Sequence, residues 1–132
     1  MKTFTITTSK RTEFVNLDSY VSEAIQESNV QNGIVCVYVP HTTAGITINE
    51  NADPDVLHDL EQVLDKLIPW HGNYQHAEGN SPAHVKASLM GSSIQVIIKD
   101  GTLVLGTWQS IFFCEFDGPR TRKVFIKILP SE

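Results

Sequence analysis

The last third of the chain constrains the fold most. Three strand-like runs, "SIQVIIK", "TLVLGTWQSIFFCEF" and "RKVFIKIL", are separated by "DG" at Asp100–Gly101 and "DGP" at Asp117–Pro119. Asp-Gly tolerates the positive φ angles of a tight turn, so each dipeptide predicts a hairpin. A chain committed to antiparallel pairing over this length needs a second layer to cover its apolar face.

The rest of the sequence supplies candidates for that layer. "KTFTITT" alternates and predicts a strand, with "TEFVNL" as its partner across a polar turn at Ser9–Arg11. "DSYVSEAIQESNVQNG" predicts a helix capped by Asp18 or Ser19, with Val21, Ala24 and Ile25 inward and an exit at Asn32–Gly33. "GIVCVYVP" is a continuous apolar run of strand length, predicted to be buried on both faces and ended by Pro40. "AGITINE" alternates as a further strand. The clearest helix is "DPDVLHDLEQVLDKLIP". Asp53 caps it, Pro54 takes the first position, and Leu57, Leu60, Leu64 and Leu67 with Val56 and Val63 form a broad apolar face. After the polar loop Trp70–Asn80, "SPAHVKASLMG" repeats the start signal with Ser81 and Pro82 and closes on Gly91. Residues 1–132 therefore read as a single α+β domain: an antiparallel-rich, β-sandwich-like core with two to three helices.

Composition agrees. Of 132 residues, 41% are hydrophobic and 19% charged, which supports one core and excludes a disordered chain. Ten basic residues against fifteen acidic ones give a net charge of −5, the wrong sign for a general nucleic-acid binder. The N-terminal "MKTFTITTSK" lacks the apolar segment of a signal peptide, and no run approaches the roughly 18 apolar residues of a membrane span. A cytoplasmic protein with no membrane or nucleic-acid partner is expected. Cys36 and Cys114 lie in strand-like runs without a CxxC pair, as buried free thiols do.

Four polar segments could carry chemistry. In "PHTTAG", His41, Thr42 and Thr43 stand where an apolar strand emerges, a place from which a rigid scaffold can present a site; hydroxyls there can equally satisfy a turn. "NENADPDVLHD" groups Glu50, Asp53, Asp55 and Asp59. Capping and the helix dipole account for Asp53 and Asp55, whereas no helix signal demands Glu50, and such carboxylates could serve a divalent ion beside phosphates. "YQHAEGNSPAHVKAS" holds His76, Glu78, His84 and Lys86, spaced too loosely for a short zinc motif, at a helix start whose free N–H groups suit phosphate. In "DGPRTRK", Arg120 and Arg122 alternate onto one strand face, where two guanidinium groups can grip a phosphate or simply guard a sheet edge.

Taken in order, "HTTAG", "NENADPDV", "HAEGNSPAHVKAS" and above all "GSSIQVIIKDGTLVLGTWQSI" resemble the YjbQ-type family, to which secondary thiamine-phosphate synthase activity is attributed. The resemblance runs almost end to end and is weakest before Gly33. It implies a β-sandwich-like homotrimer that joins hydroxymethylpyrimidine diphosphate to hydroxyethylthiazole phosphate, releasing pyrophosphate. The family's polar signature falls on His41, Glu50, Asp53, Asp59, His76, Glu78, His84, Lys86, Gln109 and Arg120. The expected roles are catalysis by Glu50, Asp53, Lys86 and Arg120, and substrate binding by Thr42, Thr43, Glu78 and Gln109. His41, His76 and His84 are the expected ligands of a divalent metal, zinc or magnesium. Trp108 could stack on a heterocycle, although a core position suits it better. A metal-dependent phosphate hydrolase using the same residues is the alternative, as is a trimeric ligand-binding protein with incidental synthase activity.

Overall fold

The structure is a computed structural model and describes residues 1–131. In chain order the elements are β1 (Lys2–Thr7), β2 (Glu13–Asn16), α1 (Asp18–Ser28), β3 (Gly33–Tyr38), β4 (Ala44–Glu50), α2 (Pro54–Leu67), α3 (Ser81–Met90), β5 (Ser93–Lys99), β6 (Thr102–Leu103), β7 (Gln109–Glu115) and β8 (Thr121–Pro130). They form two antiparallel sheets, ordered β1-β8-β3-β5-β6 and β2-β7-β4. The α+β reading holds, with three helices among the described residues.

The two Asp-Gly dipeptides part company. Asp100 and Gly101 have φ of 51° and 76°, the tight hairpin turn expected between β5 and β6. Asp117–Gly118 instead carries the chain from the three-stranded sheet to the five-stranded one. A Cβ on Gly118 would stand 2.1 Å from the Lys10 carbonyl oxygen and 2.9 Å from Glu115 Cγ. Close approach, not turn geometry, requires that glycine.

The predicted β1–β2 hairpin is also replaced. β1 pairs with β8 and β2 with β7, in different sheets. Residues 8–11 do not close on themselves: Thr8 N–H donates to the Arg120 carbonyl, and Gly118 N–H donates to the Arg11 carbonyl. The two sheet crossings lie against each other and satisfy one another's backbone.

The core lies between the sheets. Ile6, Val35, Val37, Ile98 and Ile126 face Ile46, Ile111 and Phe113, with Val21, Ala24 and Ile25 of α1 packed in. α1 starts differently from the prediction. Leu17 occupies the cap position, while the Asp18 carboxylate accepts from Ser110 Oγ (2.6 Å) and Ile111 N–H (2.9 Å). The helix ends at Asn29, in the left-handed region at φ 59°, and Gly33 already belongs to β3. β3 buries only one face: Val35 and Val37 point inward, whereas Ile34 and Tyr38 are exposed. Its apolar run reflects an outer sheet face that no other described element covers.

A second cluster holds α2 and α3 on the outer face of the three-stranded sheet, where Leu64, Ala83 and Ala87 meet Cys114 and Phe116. Asp53 caps α2 as predicted, accepting from Asp55 N–H at 2.9 Å. Only Leu64 of its apolar stripe is buried, and Val63 and Leu67 face outward. α3 starts one residue earlier than predicted, with Asn80 at the cap and Gly91 at the exit. Gly45 lets α3 lie close on β4, since a Cβ there would stand 2.8 Å from the Gly91 carbonyl oxygen. Both cysteines are free. Cys114 is buried, which pushes its thiol pKa up, and Cys36 is half-buried. Among the described residues no helix is long and apolar enough to cross a membrane.

Candidate functional site

Pro40–Thr43, the start of α3 and the start of β8 converge on one end of the molecule. They enclose an open cleft of about 630 Å³ that His41, Thr42, Thr43, His76, Glu78, His84, Arg120 and Arg122 line, with Tyr38 and Asn80 at its walls. A recess of about 480 Å³ shares His41, Thr42 and His84 with it. Such volumes suit small molecules.

The imidazoles are not equivalent. His41 Nε2 accepts a hydrogen bond from Lys123 N–H at 2.9 Å. Its neutral form therefore carries the proton on Nδ1, which is free to donate. Burial lowers the His41 pKa below its ordinary 6.5, and the Arg122 charge lowers it further. His76 and His84 meet edge to face with ring centroids 5.4 Å apart. Among the described residues, no three His, Cys, Asp or Glu side chains stand together at metal-ligand spacing.

Two arginines reach the cleft in different ways. Arg120 lies at the rim with its side chain half exposed, donating from Nε to the Asp117 carbonyl (2.8 Å) and from Nη2 to the Asp117 carboxylate (2.9 Å). The same carboxylate takes Asn80 Nδ2–H at 2.9 Å. Arg122 is buried and ion-paired with Glu115, itself fully buried. Burial alone would raise the Glu115 pKa. Hydrogen bonds from Arg122, Thr8 and Asp117 N–H outweigh it and hold the carboxyl below its ordinary 4.5.

Seven expected residues thus gather: His41, Thr42, Thr43, His76, Glu78, His84 and Arg120. Five others lie elsewhere in the same chain. Glu50 ends β4 at its far end, paired with Gln109. Asp53 is committed to capping α2. Gln109 folds back so that its Oε1 accepts from Gly106 N–H at 2.8 Å, closing the "GTWQ" turn and leaving Trp108 exposed rather than in the core. Lys86 sits two residues from His84, about 200° around the helix. It is buried against Asp65, in a recess with Arg11 and Trp70. Asp59 is exposed on α2. Sequence reasoning had not singled out Glu115. Its signal is an acid inside the apolar run "IFFCEF", a position that a charge holds only with a partner.

The fold and cleft define a class: a single α+β domain with a histidine- and arginine-lined pocket at one end of its paired sheets. The chain belongs to the YjbQ family, described as UPF0047 protein YjbQ-like, which matches residues 2–131. It is 58% identical to UPF0047 protein MJ1081 of Methanocaldococcus jannaschii, over 96% of this chain and 91% of that one. It is 51% identical to UPF0047 protein YugU of Bacillus subtilis, over 98% of each. A crystal structure of a YjbQ/UPF0047 family protein from Clostridium acetobutylicum superposes with a TM-score of 0.96 at 56% identity, covering 98% of this chain and all of that one. These names specify no reaction.

Proposed function

We propose that the protein is an enzyme acting on phosphorylated small molecules in the His41–His84–Arg122 cleft, and that its reaction is thiamine-phosphate synthesis. The supporting observation is the lining itself: three imidazoles and two guanidinium groups converge with one carboxylate, Glu78, on a cavity of about 630 Å³. In this reaction the thiazole nitrogen of hydroxyethylthiazole phosphate attacks the methylene carbon of hydroxymethylpyrimidine diphosphate. The C–N bond forms as the C–O bond to pyrophosphate breaks, and the leaving group takes the electron pair. The reaction requires no covalent nucleophile. The chain must align two substrates and neutralise the departing charge. The arginines are the cationic groups of the cleft, and His41 Nδ1–H, with the Thr42 and Thr43 hydroxyls, supplies neutral donors.

A divalent ion, zinc or magnesium, fits this chain in part. His76 and His84, with ring centroids 5.4 Å apart, are the residues that would hold it. His41 Nε2 is engaged by Lys123, so substrate phosphates would have to supply the remaining ligands. When bound, the ion would neutralise pyrophosphate charge. Glu50, Asp53, Lys86 and Gln109 lie outside this cleft, and the reading gives them no substrate contact within one chain.

A homotrimer is part of this reading, and the outer face of the five-stranded sheet is its candidate interface. Leu129, Ile34 and Ile97 align in register across β8, β3 and β5, all exposed, and Tyr38 stacks on Phe125. An apolar row of this kind suits an interface between copies.

The test is thiamine phosphate formation from the two precursors, using protein purified from a host without its own synthase, beside His84→Ala. Saturable product that collapses in the variant is the expected result. No product above background would overturn the synthase reading, and phosphate release from either precursor alone would favour hydrolysis.

A further inference from the structure

We infer that Arg122 is the residue that fixes a phosphate or pyrophosphate group in the cleft, and that Glu115 is the positioning residue that aims it. The inference rests on the reading of the cleft as a site for phosphorylated substrates, and goes further by naming which cation holds the anion and what orients it.

Glu115 has no capacity left for a ligand. Its Oε1 accepts from Thr8 Oγ1 (2.7 Å) and Arg122 Nε (2.9 Å), and its Oε2 from Asp117 N–H (3.0 Å) and Arg122 Nη2. Four donors fill the roughly four lone-pair sites of a carboxylate. A group so saturated, with no accessible surface, orients others. It does so across a seam, because β7 carries Glu115 in one sheet and β8 carries Arg122 in the other.

The partner is engaged on one side only. Arg122 commits Nε and Nη2 to Glu115, and Nη2 also donates to Thr43 Oγ1 at 2.8 Å. Nη1 has no protein partner among the described residues. Nor is it a buried orphan, since Asn80 Oδ1 is the sole such side-chain atom among them. Arg122 lines the cleft, and the two N–H groups of Nη1 are the donors it has left for a ligand. Thr43 extends the donor set. Its hydroxyl oxygen accepts from Arg122, so its own proton remains to be given to a ligand.

Arg120 is a poorer candidate for the fixed contact. Its side chain is half exposed at the rim, and both its Nε and its Nη2 are spent on Asp117, where solvent screens its charge. Glu115 also cancels most of the Arg122 charge when the cleft is empty. Binding through Arg122 then depends on the direction of its N–H groups more than on net charge, which favours a tetrahedral oxyanion over a diffuse anion.

The experiment is calorimetric titration of inorganic pyrophosphate into wild-type protein, Arg122→Lys, Glu115→Gln and the double variant Glu115→Gln/Arg122→Met, each checked for fold by NMR. Arg122→Lys keeps the charge but loses the fork, and should bind about tenfold more weakly or worse. Glu115→Gln removes a nearby negative charge, which through space alone would tighten binding, yet it should weaken binding several-fold because the fork loses its anchor. The double variant leaves no unpaired buried charge. It should stay folded even if Glu115→Gln does not, and should lose at least about tenfold in affinity. Wild-type binding with the Lys and double variants within about twofold of it would overturn the inference while leaving the cleft reading standing. Tighter binding by Glu115→Gln would overturn the positioning role. No binding by the wild type would overturn the cleft reading and this inference with it.

Discussion

The two ends of β4 carry similar polar residues and use them differently. At its start, Thr43, His41, Arg122 and Glu115 face one another across the seam between sheets, and their unused donors open into a cleft. At its other end, roughly 20 Å away along the strand, Glu50, Asn51, Asp53 and Gln109 serve their own turns. Asn51 Nδ2 donates to the Gln109 carbonyl, Glu50 Oε2 accepts from Ala52 N–H, Gln109 holds Gly106 N–H, and Asp53 caps α2. Polar residues at a strand end mark a site when capacity is left over after the backbone is satisfied. Where the backbone consumes it, they are punctuation.

The largest effect should come from breaking the cleft end. Glu115→Ala leaves Arg122 buried and uncompensated and should cost about 3–5 kcal/mol in urea unfolding. Gly118→Ala comes next: the new methyl group meets the Lys10 carbonyl and should destabilise by about 1–3 kcal/mol through overpacking, even though the site residues are intact.

The buried carboxylate at the cleft end should also make stability depend on pH. The folded-state pKa of Glu115 is lowered, so its stabilising contribution is complete above the ordinary carboxylate range. It is lost as pH falls below 4.5 and through the lowered value. Stability measured from pH 7 to pH 3 should fall in the wild type, with a visibly shallower slope in Glu115→Gln. An unchanged slope would mean that other carboxylates dominate acid unfolding.

The smallest effects belong to the far end. Asp53→Ala should cost about 1 kcal/mol as a lost helix cap, and Gln109→Ala about 1 kcal/mol as a lost turn bond. Both should leave pyrophosphate affinity unchanged. A loss of binding in either would mean that a second copy brings this end to its neighbour's cleft.

Much of the fold was legible. The Asp100–Gly101 hairpin, the Asp53–Pro54 helix start and the Gly91 exit each rest on local chemistry that the tertiary structure leaves in force. The failures are tertiary. Ser9–Arg11 and Asp117–Pro119 both carry turn signals, but the two segments pair with each other instead of closing hairpins. The β3 run is apolar on a face that the single chain leaves bare. For the site, "HTTAG" and the two histidines of "HAEGNSPAH" converged as their strand-end and helix-start positions allowed. Lys86 did not, because two residues of helix turn it away from His84. Glu115 was hidden in an apolar strand, because its two side-chain partners, Thr8 and Arg122, come from other segments that no spacing rule connects to it.

Steady-state thiamine phosphate formation by wild type, Arg122→Lys and Glu50→Gln, measured side by side, decides which end of β4 carries the chemistry. The cleft account predicts turnover in the wild type and in Glu50→Gln, with a marked loss in Arg122→Lys. Full activity in Arg122→Lys with loss in Glu50→Gln would contradict it and place the chemistry at the opposite end of β4.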